Sequence, residues 1–123
     1  MDVGWLNKNF NITRISDAWQ YFDTAYTIRY FNMYQYGNII SLRLVINNPD
    51  GVFPQGRVEL GTLKKYAPMD GMLIPISAST SINSFLTRVA NLVISSRTLS
   101  VDNHVNNDVR EFTIQIMYLT NDI

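Results

Sequence analysis

Two strand-like runs that meet at Tyr36-Gly37-Asn38 constrain this chain more than any other feature. From Ile39 to Asn47, residues Ile40, Leu42, Leu44 and Ile46 fall on one side of an extended chain, and Ile39, Ser41, Arg43, Val45 and Asn47 fall on the other. That is the period-two pattern of a strand with one face in a core. In the preceding run Ile28, Tyr30, Asn32 and Tyr34 share one side, and Arg29, Phe31, Met33 and Gln35 share the other. Both sides carry bulk, which suits a strand with one face on the core and the other on a partner or ligand. Gly37 and Asn38 both tolerate a positive φ, so Thr27 to Asn47 is predicted to be a long hairpin.

A hairpin alone is marginal and needs further strands to bury its apolar face. The 123 residues provide enough chain for one domain with a single core. Charged residues make up only 16%, well below the ~25% of an average soluble domain, so some apolar surface is expected to face another chain. Ten basic and ten acidic residues cancel and form no long run of one sign, which argues against nucleic acid as a partner. The absence of cysteine excludes a disulfide framework, a thiolate metal site and a cysteine nucleophile. No apolar run approaches the ~18 residues of a membrane span, and Met1 to Phe10 lacks the basic flank and apolar block of a signal peptide. Neither membrane insertion nor export by the standard route is expected.

Residues 1–25 are expected to form a lead-in segment, with an edge strand near Phe10 to Arg14 and one helical turn. Asp17 is the N-cap candidate for that turn, with Gln20 at capping-box spacing. Asn11-Ile12-Thr13 matches the glycosylation sequon, a pattern too short to carry weight here. Residues 26–123 then supply strands and turns. Asn47 to Gly56, rich in Asn, Pro and Gly, is predicted to be a long exposed loop. Arg57 to Leu63 alternates Val58, Leu60 and Thr62 against Arg57, Glu59 and Gly61. Met72 to Ser77 contains Pro75, which places that strand at an edge or a bulge. Ser77 to Ser84 is expected to be a loop, and Ser95-Ser96-Arg97 the turn of a second hairpin joining Leu92-Val93-Ile94 to Thr98 to Val101. After a polar loop at 102–108, the terminal strand places Phe112, Ile114, Ile116 and Tyr118 inward, and Glu111, Thr113, Gln115 and Met117 outward. The fold class is all-β: an antiparallel sandwich or jelly-roll-like knob of seven or eight strands, with at most one short helical turn.

Three pieces occur in a telling order: Ile28-Arg29-Tyr30 to Gly37-Asn38-Ile39-Ile40-Ser41-Leu42; Leu60-Gly61-Thr62-Leu63 with Tyr66-Ala67-Pro68; and Ile94 to Val101 with Phe112 to Tyr118. Together, over roughly residues 26 to 119, they resemble the C-terminal knob domains of bacteriophage tail-fibre and baseplate receptor-binding proteins. The chain departs from that pattern at Lys64-Lys65 and at Ala67, and residues 1–25 have no counterpart. The resemblance implies a homotrimer of β-sandwich knobs carried on the virion and made in the host cytoplasm. Such a knob is expected to contact other tail proteins and to bind host cell-wall saccharide or teichoic acid, often between protomers, without catalysis.

Saccharide recognition uses an aromatic face against the sugar ring and fixed planar polar groups against its hydroxyls. Trp5, Trp19 and several of the seven tyrosines offer platforms, although aromatics in a small β domain also serve as core. The densest polar cluster is Asp102, Asn103, His104, Asn106, Asn107, Asp108 and Arg110; the same residues also suit an ordinary solvated turn. The predicted ligand site therefore combines Asp102, His104, Asn106 and Arg110 with Trp19. His104 is the only histidine, so a zinc pair cannot be built within one chain. The calcium-loop spacing from Asp102 lacks glycine at its sixth position and has Thr113 at its twelfth. Catalytic serine, phosphate-loop and zinc-protease motifs are also missing, and no cofactor is expected. Three functions remain: a virion adhesin for host saccharide, a structural virion component without a ligand, and a polysaccharide hydrolase using an Asp pair drawn from Asp17, Asp50, Asp70, Asp102 and Asp108.

Overall fold

The hairpin forms as its alternation predicts. In the computed structural model, which describes residues 12–15, 17–81 and 88–122, β3 (Thr27–Tyr36) and β4 (Ile39–Asn47) are joined by Gly37-Asn38. The left-handed φ is confined to Gly37, at 61°; Asn38 does without it. On β4, Ile40, Leu42, Leu44 and Ile46 are all fully buried.

The facing expected for β3 needs one correction. A bulge lies between Ile28 and Tyr30, so Ile28 pairs with Ile46 and Phe31 with Leu44. Ile28, Phe31 and Met33 thus share the core side, whereas Tyr30, Asn32 and Tyr34 stand on the other. The extra residue, Arg29, sends its guanidinium to the carboxylate of Glu111 through two hydrogen bonds of 2.8 and 2.9 Å. This hydrogen bonding raises the Arg29 pKa above its ordinary value.

The remaining described elements are β1 (Ile12–Ile15), a helical turn α1 (Ala18–Tyr21), β2 (Phe22–Asp23), β5 (Gly56–Leu63), β6 (Met72–Ser79), β7 (Arg88–Ser95), β8 (Thr98–Asn103) and β9 (Glu111–Leu119). Asp17 caps α1, its Oδ1 accepting from the Gln20 amide at 3.3 Å. All paired strands are antiparallel, in the order β1-β3-β4-β9-β6-β7-β8-β5-β2. One continuous sheet of nine strands curls over its core. Ile15 on β1 and Phe22 on β2, at opposite margins of the sheet, belong to the same buried cluster, so these two residues from ahead of residue 26 are built into the same core.

The two layers expected of a sandwich are the two halves of this curled sheet. Their join is narrow: β6 meets β9 only at Ser77↔Thr113, Ala78↔Phe112 and Ser79↔Glu111. Pro75 lies just beyond the join and pairs with Asn91 alone. A residue without an N–H sits where one neighbour has departed, so the strand is central in order but edge-like at its proline. It also runs on to Ser79, three residues into the segment expected to be a loop; residues 82–87 lie outside the described residues.

Two further corrections concern the core. Asn47 to Gly56 is not wholly an exposed loop, because Phe53 is buried between Tyr26 and Phe112, with ring centroids 4.9 and 4.6 Å away. A bulge between Glu59 and Gly61 turns Leu63, rather than Thr62, inward. The terminal strand keeps its expected register, with Phe112, Ile114, Ile116 and Tyr118 buried. Tyr118 donates its hydroxyl to the Tyr66 carbonyl at 2.6 Å, and burial, with the nearby Asp122 charge, pushes its pKa up.

Candidate ligand-binding face

The residues expected to form the site are not gathered in one place. Asp102 lies in β8, not in a loop, and pairs with Arg57 across the β5–β8 ladder. His104 is next to it, with Nε2 3.8 Å from Asp102 Oδ1, and its ring is largely exposed. Asn106 is buried, its amide donating to the Val89 carbonyl at 3.0 Å and to Asn103 Oδ1 at 3.1 Å. It fastens the loop and presents little to a ligand.

Arg110 is exposed but precedes β9, three strand positions from β8, a span of about 14 Å at ~4.8 Å per strand. Trp19 is 65% exposed on α1, next to β2, which pairs with β5 at Thr62 and Leu63. Asp102 pairs at Arg57, the other end of β5, about 20 Å away at ~3.3 Å per residue. Asp102 and His104 are therefore adjacent, whereas Trp19, Asn106 and Arg110 do not converge on them. Trp5 and Asn11 lie outside the described residues.

A different constellation does converge, on the outward face of β1, β3 and β4. Cross-strand pairing sets Arg14 opposite Tyr34, Asn32 opposite Arg43, Tyr34 opposite Ser41 and Arg43 opposite Gln115. Three tyrosines, Tyr30, Tyr34 and Tyr36, thus line one strand at alternate positions with Asn32 among them. Arg14 donates Nε to Asn32 Oδ1 at 3.1 Å. Asn32 Nδ2 donates to the phenol oxygens of Tyr30 at 3.3 Å and Tyr34 at 3.4 Å. Arg43 places its guanidinium carbon 4.8 Å from the centre of the Tyr30 ring, a cation–π contact that ties the two side chains together.

This face has a rigid base. β4 pairs with β9 through nine consecutive residues without a bulge, and the opposite side of both strands is core. A site on paired strands loses less conformational freedom on binding than one on loops. One concavity of about 200 Å³ lies between Pro68, Met69, Met72, Tyr118 and Leu119, where β6 and β9 have parted, and a more polar one lies at the β2 margin along Asp23 to Ala25 and Glu59 to Thr62. A ligand on the tyrosine face would therefore lie flat across it. Among the described residues no three of His, Asp and Glu gather to hold a metal ion.

The sequence carried a signal for this face in the two-sided bulk of β3. Arg14 gave none, since nothing local pairs it with a strand twenty residues on. Compared with known proteins, the chain matches no family model, no curated protein and no solved structure.

Proposed function

We propose that this protein is a non-catalytic saccharide-binding domain, the host-recognition knob of a bacteriophage tail fibre or baseplate. The observation that carries the binding reading is the outward Tyr30-Asn32-Tyr34-Tyr36 row with Arg14 and Arg43, a set of aromatic and planar polar groups on a rigid sheet. It has the composition that sugar rings and their hydroxyls require. The assignment to a phage tail, and with it to the virion, rests on the order of sequence pieces from Ile28 to Tyr118.

A homotrimer fits the same reading. Leu73, Val89 and Met117 are 70%, 64% and 63% exposed on the outer side of β6, β7 and β9, and association would cover them. Multiple weak sites on one particle then add through avidity. The test is adsorption of the protein to cells and to an array of cell-wall glycans, with Tyr34→Ala and Arg43→Ala variants alongside. Loss of adsorption in both variants, with unchanged thermal melting, supports the assignment. Undiminished adsorption places the site elsewhere, and no adsorption by the parent favours the purely structural virion role.

A further inference from the structure

The hydrogen-bond polarity of this face selects its ligand, and the inference rests on the saccharide-binding reading. Arginine can only donate, so its Nε fixes the Asn32 amide with Oδ1 toward Arg14. The Asn32 nitrogen must then face the two phenols, and each phenol oxygen accepts from it. Neither phenol donates to any described residue, so both O–H protons remain available to an outside acceptor. The Arg14 terminal nitrogens and the Arg43 guanidinium are likewise donors without a carboxylate within 4.0 Å among the described residues, whereas Arg29, Arg57, Arg88 and Arg97 each have one. The carboxylate on this face, Glu111, is taken up by Arg29. The centre of the patch is thus rich in donors and carries a surplus of positive charge, the phenol oxygens and Asn32 Oδ1 having each accepted a bond already, and Ser41 and Gln115 beside it can both donate and accept.

We infer that the outward face of β1, β3 and β4 binds an anion-bearing saccharide, with the ligand's carboxylate or phosphodiester between Arg14 and Arg43 and the phenols of Tyr30 and Tyr34, and its hydroxyls toward Ser41 and Gln115. A neutral sugar hydroxyl can accept from these donors, but its own O–H finds few acceptors here and it leaves the donor-rich centre without a counter-charge. An anion satisfies it and makes charge-assisted bonds.

The test is retardation of the protein in native gels cast with polygalacturonate, poly(glycerol phosphate) or neutral dextran, and in solution with oligothymidylate. Retention by one of the two acidic polymers identifies carboxylate or phosphodiester as the anion. Dextran should not retain the protein. Arg14→Gln and Arg43→Gln should each weaken retention about tenfold or more, as expected for a lost charge-assisted hydrogen bond. Asn32→Asp should weaken it as much, because the new carboxylate neutralises Arg14 and draws both phenol protons inward. Arg57→Gln, off the face, should bind like the parent. Raising the salt should weaken retention.

Equal retention by dextran would overturn the anion selectivity and leave the saccharide reading intact. Retention by none of the polysaccharides would overturn both. Oligothymidylate binding as tight as the acidic polymers would overturn the commitment to a saccharide. Full retention in both arginine variants would move the site off this face.

Discussion

Replacing Gly61 by alanine probes how the β2 margin is closed onto the core. The backbone at Gly61 lies outside the left-handed region, so alanine meets no torsional objection; the obstacle is space. A Cβ there would stand 2.4 Å from the Asp23 carbonyl oxygen and 2.6 Å from the Phe22 ring. One of these neighbours is backbone, so relief requires β2 to move off β5. That movement loosens the pairs Phe22↔Leu63 and Asp23↔Thr62 and uncovers Phe22, which is fully buried. Complete loss of a buried phenylalanine costs about 3–5 kcal/mol, and each broken backbone bond about 1. Alanine also restricts the unfolded chain, which returns somewhat under 1 kcal/mol. A partial displacement of β2 then gives an expected destabilisation of about 2–4 kcal/mol, measured by urea unfolding followed by circular dichroism. If the damage runs through β2, Phe22→Ala added to Gly61→Ala should cost much less than it does alone. A Gly61→Ala protein within ~0.5 kcal/mol of the parent, or full additivity with Phe22→Ala, would refute the reasoning.

Ile114→Ala should cost about 2–4 kcal/mol because the side chain is fully buried, while its exposed neighbour Gln115 should tolerate alanine with a loss of ~0.5 or less; equal urea midpoints for the two variants would break the β9 register. Arg29→Met should cost about 2–4 kcal/mol, since it leaves the buried Glu111 carboxylate without its bidentate partner, and a melting temperature unchanged from the parent would contradict that. Tyr118 predicts an alkaline effect: its folded pKa is raised, so the unfolded state loses the phenol proton first as pH climbs past about 10. The stability it contributes is therefore complete below that pH and declines above it. Melting temperatures of the parent and Tyr118→Phe should begin to converge above about pH 10 and go on converging as pH rises toward the raised folded value, and parallel curves would count against it.

The legibility of this chain follows the range of the interactions that shape each part. The inward faces of β4 and β9 were readable because alternate burial is local to a strand, but Val45, Asn47 and Glu111, expected on the outward side, are buried as well. The bulge at Arg29 was not, because no glycine announces it; what holds it is the ion pair with Glu111, 82 residues away. Phe53 hid in a segment of turn formers, since its partners Tyr26 and Phe112 come from distant strands. The narrow β6–β9 join likewise depends on pairing that no local pattern encodes. For the site, density along the sequence was misleading. Residues 102 to 110 are polar partly because Asn103 and Asn106 bond inward to Pro54, Val89 and each other, and because Asp102 and Asp108 bind the arginines of neighbouring strands.

The charge balance shows the same difference between chain and fold. Ten basic and ten acidic residues sum to zero, and along the chain neither sign is bunched. Folding sorts them. Among the described residues, the ion pairs Arg29–Glu111, Arg57–Asp102, Arg88–Asp108 and Arg97–Asp122 consume carboxylates at scattered places on the sheet. Arg14 and Arg43 come onto one face only because β1 pairs with β3, and β3 with β4. At moderate salt, charges beyond about 10 Å contribute little, so a ligand at this face responds to those two arginines more than to the neutral total. Net charge argues fairly against a long polyanion wrapped around the molecule. It says nothing against one carboxylate or phosphate held by two arginines and two phenols.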